Sequence, residues 1–142
     1  MELARDEDAH VAKVLLALLL VEPNRCVAVE TGVVVAAVEA VVATNSTSTS
    51  TAERALAALE LMCTIEKGAA EVRAHALAAL AMGEAIENMQ GHGRECAIGV
   101  LAAVYGGSGD QAKDAPEEVI RAVMMAMQGE CSLRWRRKGV FC

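Results

Sequence analysis

Five cysteines are the residues of this chain that could act as nucleophiles. A catalytic thiolate needs a neighbouring base and a field that lowers its pKa, and the three histidines are candidate bases. Because these residues are widely separated along the chain, their spacing leaves a Cys–His pair open and does not predict one. The residues are Cys26, Cys63, Cys96, Cys131 and Cys142, with His10, His75 and His92.

The same cysteines and histidines do not have the spacing of metal ligands. Neither Cys-x-x-Cys nor His-x-x-x-His occurs, so we expect no metal site and no cofactor. The cysteine count is odd and the N-terminus is acidic, which is opposite to a secretory signal. The longest uncharged apolar run, 14–21, is too short to span a bilayer. We therefore expect reduced thiols in a soluble cytoplasmic or nuclear protein.

Paired carboxylates could perform acid–base chemistry, and Glu53 and Glu95 are the candidates. They occupy matched positions in a repeated segment, which favours a role at helix starts, where Glu complements the helix dipole. The run 106–109 (GGSG) lacks the Lys-Ser/Thr of a phosphate-binding loop. The tract 45–51 (NSTSTST) is interpreted as a disordered loop, with phosphorylation as the alternative.

The repeated segment is the main indication of architecture. Residues 52–63 (AERALAALELMC) return forty-two positions later as 94–105 (RECAIGVLAAVY). The matched apolar positions 56, 59 and 62 are three apart, so they lie along one side of a helix. A helical period of about 40–47 residues is typical of armadillo and HEAT solenoids, which bind other proteins. The matched pairs are Ala55/Ala97, Leu56/Ile98, Leu59/Leu101 and Met62/Val104.

Composition favours an all-helical protein that does not bind nucleic acid. Hydrophobic residues make up 54% and aromatic residues 2%, so Ala, Val, Leu and Met must build the core. The net charge is −6, and every acidic residue precedes position 131. An acidic body with few aromatics argues against nucleic-acid binding. The basic run near the C-terminus, 134–138 (RWRRK), could contact an acidic partner or form a solvated helix face.

The spacing of apolar residues and the positions of proline and glycine predict a repeated unit of three helices: a short helix, a longer helix and a third helix. Residues 22–24 (Glu-Pro-Asn) should end the first helix because proline interrupts the hydrogen-bond ladder. Ser50 and Glu53 should form a capping box, and Gly68 should end the helix that follows. The predicted helices span 3–20, 25–31, 33–43, 51–66, 69–74, 77–90, 94–105, 119–128 and 130–140. The apolar residues expected to point inward include Leu15, Leu18, Leu19, Val34, Val35, Val38, Val41 and Val42.

Three stretches resemble the C-terminal armadillo repeats of plant U-box E3 ubiquitin ligases. They are EPNRCVAVETGVVVAAVEAV, TAERALAALELMCTIEKGAAEVRAHALA and RECAIGVLAAVYGG, and RWRRKG resembles the basic run of the last repeat in that family. The resemblance implies one domain over 1–142, a right-handed armadillo-type α-solenoid of about three repeats with the last truncated. The approximate repeats are 1–23 (partial), 24–66, 67–106 and 115–142.

In that family a U-box recruits the ubiquitin-charged E2 enzyme, and the armadillo array holds a substrate or regulator. This chain contains no stretch that resembles a U-box. The resemblance therefore implies a protein-interaction module that is non-catalytic alone and acts as a regulator or competitor of a full-length ligase. Two alternatives stay open: an active component of protein ubiquitination through a U-box partner, and a small helical-bundle enzyme that uses Cys or Glu.

A partner should lie along the groove lined by third helices. We expect a protein substrate, a regulator or a full-length U-box ligase there. Uncapped solenoid ends would also favour self-association. The polar residues expected to contact the partner are Arg54, Glu60, Arg94, Arg134, Arg136, Arg137 and Lys138.

Overall fold

The computed structural model describes residues 2–44, 49–89 and 91–106, together with Glu117, Ile120, Arg121 and Met124. Within these residues the chain forms seven α-helices and no strand, which confirms the all-helical prediction. The predicted helices 119–128 and 130–140 lie almost wholly outside the described residues. The helices are α1 (Glu2–Leu19), α2 (Glu22–Glu30), α3 (Val33–Thr44), α4 (Thr49–Met62), α5 (Glu66–Ala74), α6 (Ala78–Asn88) and α7 (His92–Tyr105).

Helix lengths repeat along the chain. Helices α2, α3 and α4 have 9, 12 and 14 residues, and α5, α6 and α7 have 9, 11 and 14. The junctions that open the two triplets also match, because Val21 and Ile65 are both extended residues just before a short helix. The amide of Val21 donates to the Leu18 carbonyl at 3.2 Å, and that of Ile65 donates to the Met62 carbonyl at 3.1 Å. The second donor and acceptor each lie forty-four positions after the first, with Ile65 at the position of Val21 and Met62 at that of Leu18.

Helix α4 is the centre of the described fold. Its most extensive contacts are with α7, α3 and α1, and α6 packs against α7 to a similar extent. Alanine and leucine are buried on several sides of α4, and such small and unbranched side chains let neighbouring helices approach closely. One continuous aliphatic cluster results. Its largest fully buried side chains are Leu19, Val29, Val34, Val38, Val41, Leu56, Leu59, Met62, Met82, Ile86, Val100 and Leu101.

The repeated sequence corresponds to a repeated packing face. All four matched apolar pairs between α4 and α7 are buried in both helices. Glu53 and Glu95, at matched positions of the repeat, are both half-buried; Glu95 is in the first turn of α7 as predicted, whereas Glu53 lies beyond the first turn of α4. Helices α3 and α6 match in the same way, with four buried positions in each that lie forty-four residues apart. These are Val34/Ala78, Ala37/Ala81, Val38/Met82 and Val41/Ala85.

The first helix ends within one residue of its predicted end, at Leu19, but the predicted starts of the next helix, 25, and of the helix 51–66 are wrong. Pro23 lies in the first turn of α2, which begins at Glu22, rather than in a breaker between helices. Proline is tolerated there because the amide it lacks has no partner inside the helix. Helix α4 begins at Thr49, so Ser50 is a helical residue and cannot be the cap of a capping box.

Gly68 is inside α5 and does not end the preceding helix, which stops at Met62. A Cβ atom on Gly68 would collide with the Met62 carbonyl oxygen and would lie 2.9 Å from the Met62 carbonyl carbon. The glycine is therefore required by a close approach between α5 and the end of α4. At the matching position of α2, Asn24 instead donates from Nδ2 to the Leu18 carbonyl at 2.9 Å.

The inward-facing residues are confirmed in part. Leu19, Val34, Val38 and Val41 are buried and Leu15 is half-buried. Leu18 is exposed, contrary to the prediction, because no described helix covers that side of α1. Val35 and Val42 are also exposed, so the buried stripe of α3 is narrower than its apolar sequence.

Candidate functional site

The polar residues predicted to bind a partner are placed on two helices. Arg54 and Glu60 are half-buried on α4, and Arg94 is half-buried in the first turn of α7. The six positions between Arg54 and Glu60 turn the helix by about 240°, so these two side chains leave α4 on different sides. The predicted residues Arg134, Arg136, Arg137 and Lys138 lie outside the described residues.

Arg54 lies at a cleft between α1, α3 and α4. The cleft has a volume of about 370 Å³ and is lined almost entirely by aliphatic side chains. Arg54 and Glu39 are its charged residues, and Thr51 is a buried polar one. The aliphatic lining is Val11, Ala12, Leu15, Val33, Ala36, Ala37, Ala40, Ala43, Ala55 and Ala58.

Alanines line much of the cleft, and two of them correspond to leucines later in the chain. Ala12 and Ala36 correspond to Leu56 and Leu80, forty-four positions later. The site is concave and apolar, with one carboxylate and one guanidinium beside it. Such a surface suits aliphatic side chains of a partner whose polar groups reach Glu39 and Arg54.

Cys63 does not have the environment of a nucleophile. It is buried at the end of α4, and this burial, reinforced by the nearby Glu60 carboxylate, raises the pKa of its thiol to about 12 although Arg73 acts in the opposite direction. Thiolate is the reactive form of cysteine, and at neutral pH it is almost absent at this site. Cys63 therefore serves as a small apolar core residue.

Cys96 and His92 are the Cys–His pair that the described residues bring together. The Cys96 Sγ lies 3.5 Å from Nε2 of His92, one turn earlier in α7. Cys96 is completely buried, so its sulfur offers no surface to a substrate. His75 has a local role instead, because its Nδ1 accepts the backbone amide of Leu77 at 3.1 Å. Cys131 lies outside the described residues.

Glu53 also has a packing role. A Cβ atom on Gly93 of α7 would lie only 2.8 Å from Cγ of Glu53, so the side chain of Glu53 fills the space above that glycine. Glu53 and Glu95 are on different helices, α4 and α7. Within the described residues, no group of three or more His, Cys, Asp or Glu side chains could hold a metal ion.

Two arginines that the sequence did not single out connect helix ends. Arg25 donates from Nε to the Leu19 carbonyl at 2.8 Å and from its guanidinium to the Thr64 hydroxyl at 3.3 Å. Arg73 donates twice to the Val104 carbonyl, at 3.1 and 2.7 Å. Cations at helix C-termini satisfy free carbonyls and complement the dipole. Their placement in short helices is the only sequence signal that could have indicated this role.

Comparisons of the chain with protein-family models, with curated proteins and with solved structures found no match. Among the described helices, no single one has the length and apolarity needed to cross a bilayer. The segments Glu22–Glu30 and Val33–Ala43 reach that length and apolarity only as a pair, and they are bent by 84°.

Proposed function

We propose that this chain is a non-catalytic protein-interaction module built as an armadillo-type solenoid, related to the substrate-binding repeats of plant U-box E3 ubiquitin ligases. One observation carries the proposal: α4 and α7 are matched in sequence and burial and pack directly against each other. Helix α1 packs against α4 in turn. Stacked equivalent helices are the arrangement by which solenoids form an extended binding surface.

The repeated triplet supports the solenoid part of the proposal. Helices α2–α4 and α5–α7 have the same order of lengths and the same opening junction. Within each triplet, the second and third helices make the most extensive contact, which is α3 with α4 in the first triplet and α6 with α7 in the second. The hydrogen bond from Arg25 to Thr64 joins α2 to the junction that follows α4.

The cleft beside Arg54 is the proposed partner site. It combines an apolar, concave lining with opposite charges on Glu39 and Arg54, which would orient a bound protein segment. The partner is a substrate or regulator of ubiquitination, and this chain competes for it with a full-length ligase. The buried thiols of Cys63 and Cys96 support the non-catalytic part of the proposal.

Filling the cleft tests where the partner binds. Ala36→Leu introduces the residue found at the matching position of α6 and should reduce partner capture at least about fivefold while leaving the helix content unchanged. Ala17→Leu is the matched control, because Ala17 is exposed on α1 and does not line the cleft. The measurement is quantitative mass spectrometry of the proteins captured by wild type and by each of the two variants. Equal capture by all of them would contradict binding at the cleft.

A ubiquitination assay tests the non-catalytic part. With E1, E2 and ubiquitin, the chain should form no ubiquitin conjugates, and it should slow conjugation by a U-box ligase that shares its captured partner. Conjugates formed without an added ligase would contradict this part of the proposal, and an unchanged ligase rate would contradict competition.

A further inference from the structure

The two side walls of the cleft between α1, α3 and α4 make little direct contact with each other. Helix α1 packs against α4 and α2, and its contact with α3 is slight at most. Val11 and Leu15 line the cleft from α1, and Ala36 and Ala40 line it from α3. The separation of these two walls is therefore set by how α1 is attached to the rest of the fold.

Hydrogen bonds from α2 hold the C-terminal end of α1. Asn24 donates from Nδ2 to the Leu18 carbonyl at 2.9 Å, and Arg25 donates from Nε to the Leu19 carbonyl at 2.8 Å. The bond from Arg25 is the stronger type because its donor is charged. Leu19 itself is buried in the core. The attached end lies one helical turn beyond Leu15, which lines the cleft.

The guanidinium of Arg25 also reaches a third element. Its Nη1 donates to the Thr64 hydroxyl at 3.3 Å, in the junction between α4 and α5. The Thr64 hydroxyl donates in turn to the Leu61 carbonyl of α4 at 2.6 Å. One side chain therefore joins the end of α1 to the end of α4. A planar guanidinium has several donors in a fixed arrangement, which suits it to bridge two oxygens on different elements.

This bridge is not part of the repeated unit. Forty-four positions later, Asn24 and Arg25 correspond to Gly68 and Ala69, which have no side-chain donors. The end of α7 is held in another way, by Arg73 of α5. The bridge thus belongs to α1 and α4, two of the three helices that line the cleft.

We propose that Arg25 is a positioning residue for the cleft. By joining the Leu19 carbonyl to the Thr64 hydroxyl, it sets the place of α1 on α4 and thereby the separation of α1 from α3. Loss of either bond moves the end of α1, and the cleft then no longer has the width that fits a bound segment. The effect on width depends on contacts within this chain, whereas the effect on binding rests on the proposed function.

Double electron–electron resonance measures the separation of α1 and α3 directly. Spin labels are attached at Lys13→Cys and Val42→Cys, exposed positions of α1 and α3 that do not line the cleft. The full-length labelled chains keep the buried Cys63 and Cys96 and carry serine in place of the other three native cysteines.

Removal of the guanidinium should change this separation. Arg25→Met should shift or broaden the distance between the labels on α1 and α3 by about 2 Å, the size of a typical helix shift. Labels at Val42→Cys and Ala103→Cys, on α3 and α7, are the control and should give the same distance with and without Arg25→Met. An unchanged distance between α1 and α3 would overturn the proposal.

A threonine variant tests the far end of the bridge without altering Arg25. Thr64→Val removes the acceptor and should change the distance between α1 and α3 in the same direction as Arg25→Met. Thr31→Val is the matched control, because the exposed Thr31 hydroxyl also donates to backbone carbonyls, those of Val27 and Ala28. The control should leave the distance unchanged, and equal effects of the two threonine variants would overturn the bridge.

Lysine at position 25 separates bridging from simple capping. Arg25→Lys keeps a cation beside the end of α1, so its melting temperature should lie within about 2 °C of wild type. Its single ammonium lacks the fork that spans both oxygens, so the distance between α1 and α3 should still change. A wild-type distance in Arg25→Lys would show that charge alone positions α1 and would overturn the bridging role.

Partner capture then tests the consequence for binding. Arg25 does not line the cleft, yet Arg25→Met should reduce capture at least about threefold if the cleft must keep its width. A changed distance with unchanged capture would overturn this part of the proposal. If wild type and the cleft-filling Ala36→Leu capture the same proteins equally, the proposed function fails, and the distance measurements still decide the role of Arg25.

Discussion

At the scale of single residues, the buried thiol of Cys63 lacks the environment of a catalytic nucleophile. Its pKa is raised from 9.0 to about 12, with burial as the main cause. The unfolded chain ionises this thiol at a lower pH than the folded chain does. The contribution of Cys63 to stability is therefore complete below about pH 9 and is lost as the pH rises towards 12.

Replacing Cys63 with alanine should remove this alkaline dependence. We expect the stability of wild type to fall more steeply than that of Cys63→Ala between about pH 9 and 11. Urea denaturation across that range, followed by circular dichroism, measures the difference. Cys26→Ala is the matched control, because Cys26 is exposed and its variant should follow wild type. Parallel curves for Cys63→Ala and wild type would contradict the buried environment of this thiol.

Arg73 is the second residue with a specific expected effect. Its guanidinium donates two hydrogen bonds to the Val104 carbonyl at the end of α7. Arg73→Met keeps much of the aliphatic volume but removes both donors, so it should lower the free energy of unfolding by about 1–2 kcal/mol. Lys67→Met, on the exposed side of α5, should change it by less than about 0.5 kcal/mol. Chemical denaturation of both variants checks the contrast, and equal effects would contradict the capping role.

At the scale of elements, sequence periodicity predicted helices better than it predicted their ends. The matched apolar pairs of α4 and α7 are buried as expected, because the spacing of apolar residues directly reflects a packed face. Pro23 misled the prediction of a boundary because a proline is compatible with both the end of one helix and the first turn of the next. Leu18 was predicted to be buried and is exposed, because an apolar sequence alone does not reveal whether a neighbouring helix is present.

The prediction of the candidate site was limited for a related reason. Arg54 was expected at a binding surface and lies at the apolar cleft. The cleft itself depends on three helices and on small residues such as Ala12 and Ala36, whose contribution becomes visible only after the helices are packed together. Glu60 and Arg94 do not line the cleft. Helix rotation rather than residue type decides which side chains share a face.

The contact between α5 and the end of α4 gives an element-scale prediction. Gly68→Ala places a methyl group against the Met62 backbone, and the rigid carbonyl group cannot move aside as a flexible side chain could. We expect the free energy of unfolding to fall by about 1–3 kcal/mol, although alanine normally favours helix. Ala70→Ser, at an exposed position of the same helix, should fall within about 0.5 kcal/mol of wild type. Urea denaturation distinguishes these results, and a stabilised Gly68→Ala protein would contradict the close approach.

At the scale of the whole molecule, α4 connects the first and last described helices. It packs against α1, α3 and α7, and their buried residues form one cluster. Leu56 is fully buried in this helix. Leu56→Ala should lower the free energy of unfolding by about 2–5 kcal/mol, since it opens a cavity where several helices meet.

The distribution of the Leu56→Ala effect is as informative as its size. Hydrogen exchange should show faster opening in α1, α4 and α7 together, because loss of the shared core weakens all three. The exposed variant Val35→Ala is the control and should leave exchange in these helices unchanged. An effect of Leu56→Ala confined to α4 would show that the described helices do not unfold as one cooperative unit.

The matching junctions at Val21 and Ile65 have a consequence for how this protein could evolve. Each junction starts with an extended residue and repeats the same backbone hydrogen bond, so a segment cut at one junction has ends that fit the other. An in-frame duplication of 22–65 would therefore insert a complete structural unit without creating an unfamiliar connection. Lengthening of the chain by unequal recombination would be tolerated at these two places more readily than anywhere within a helix.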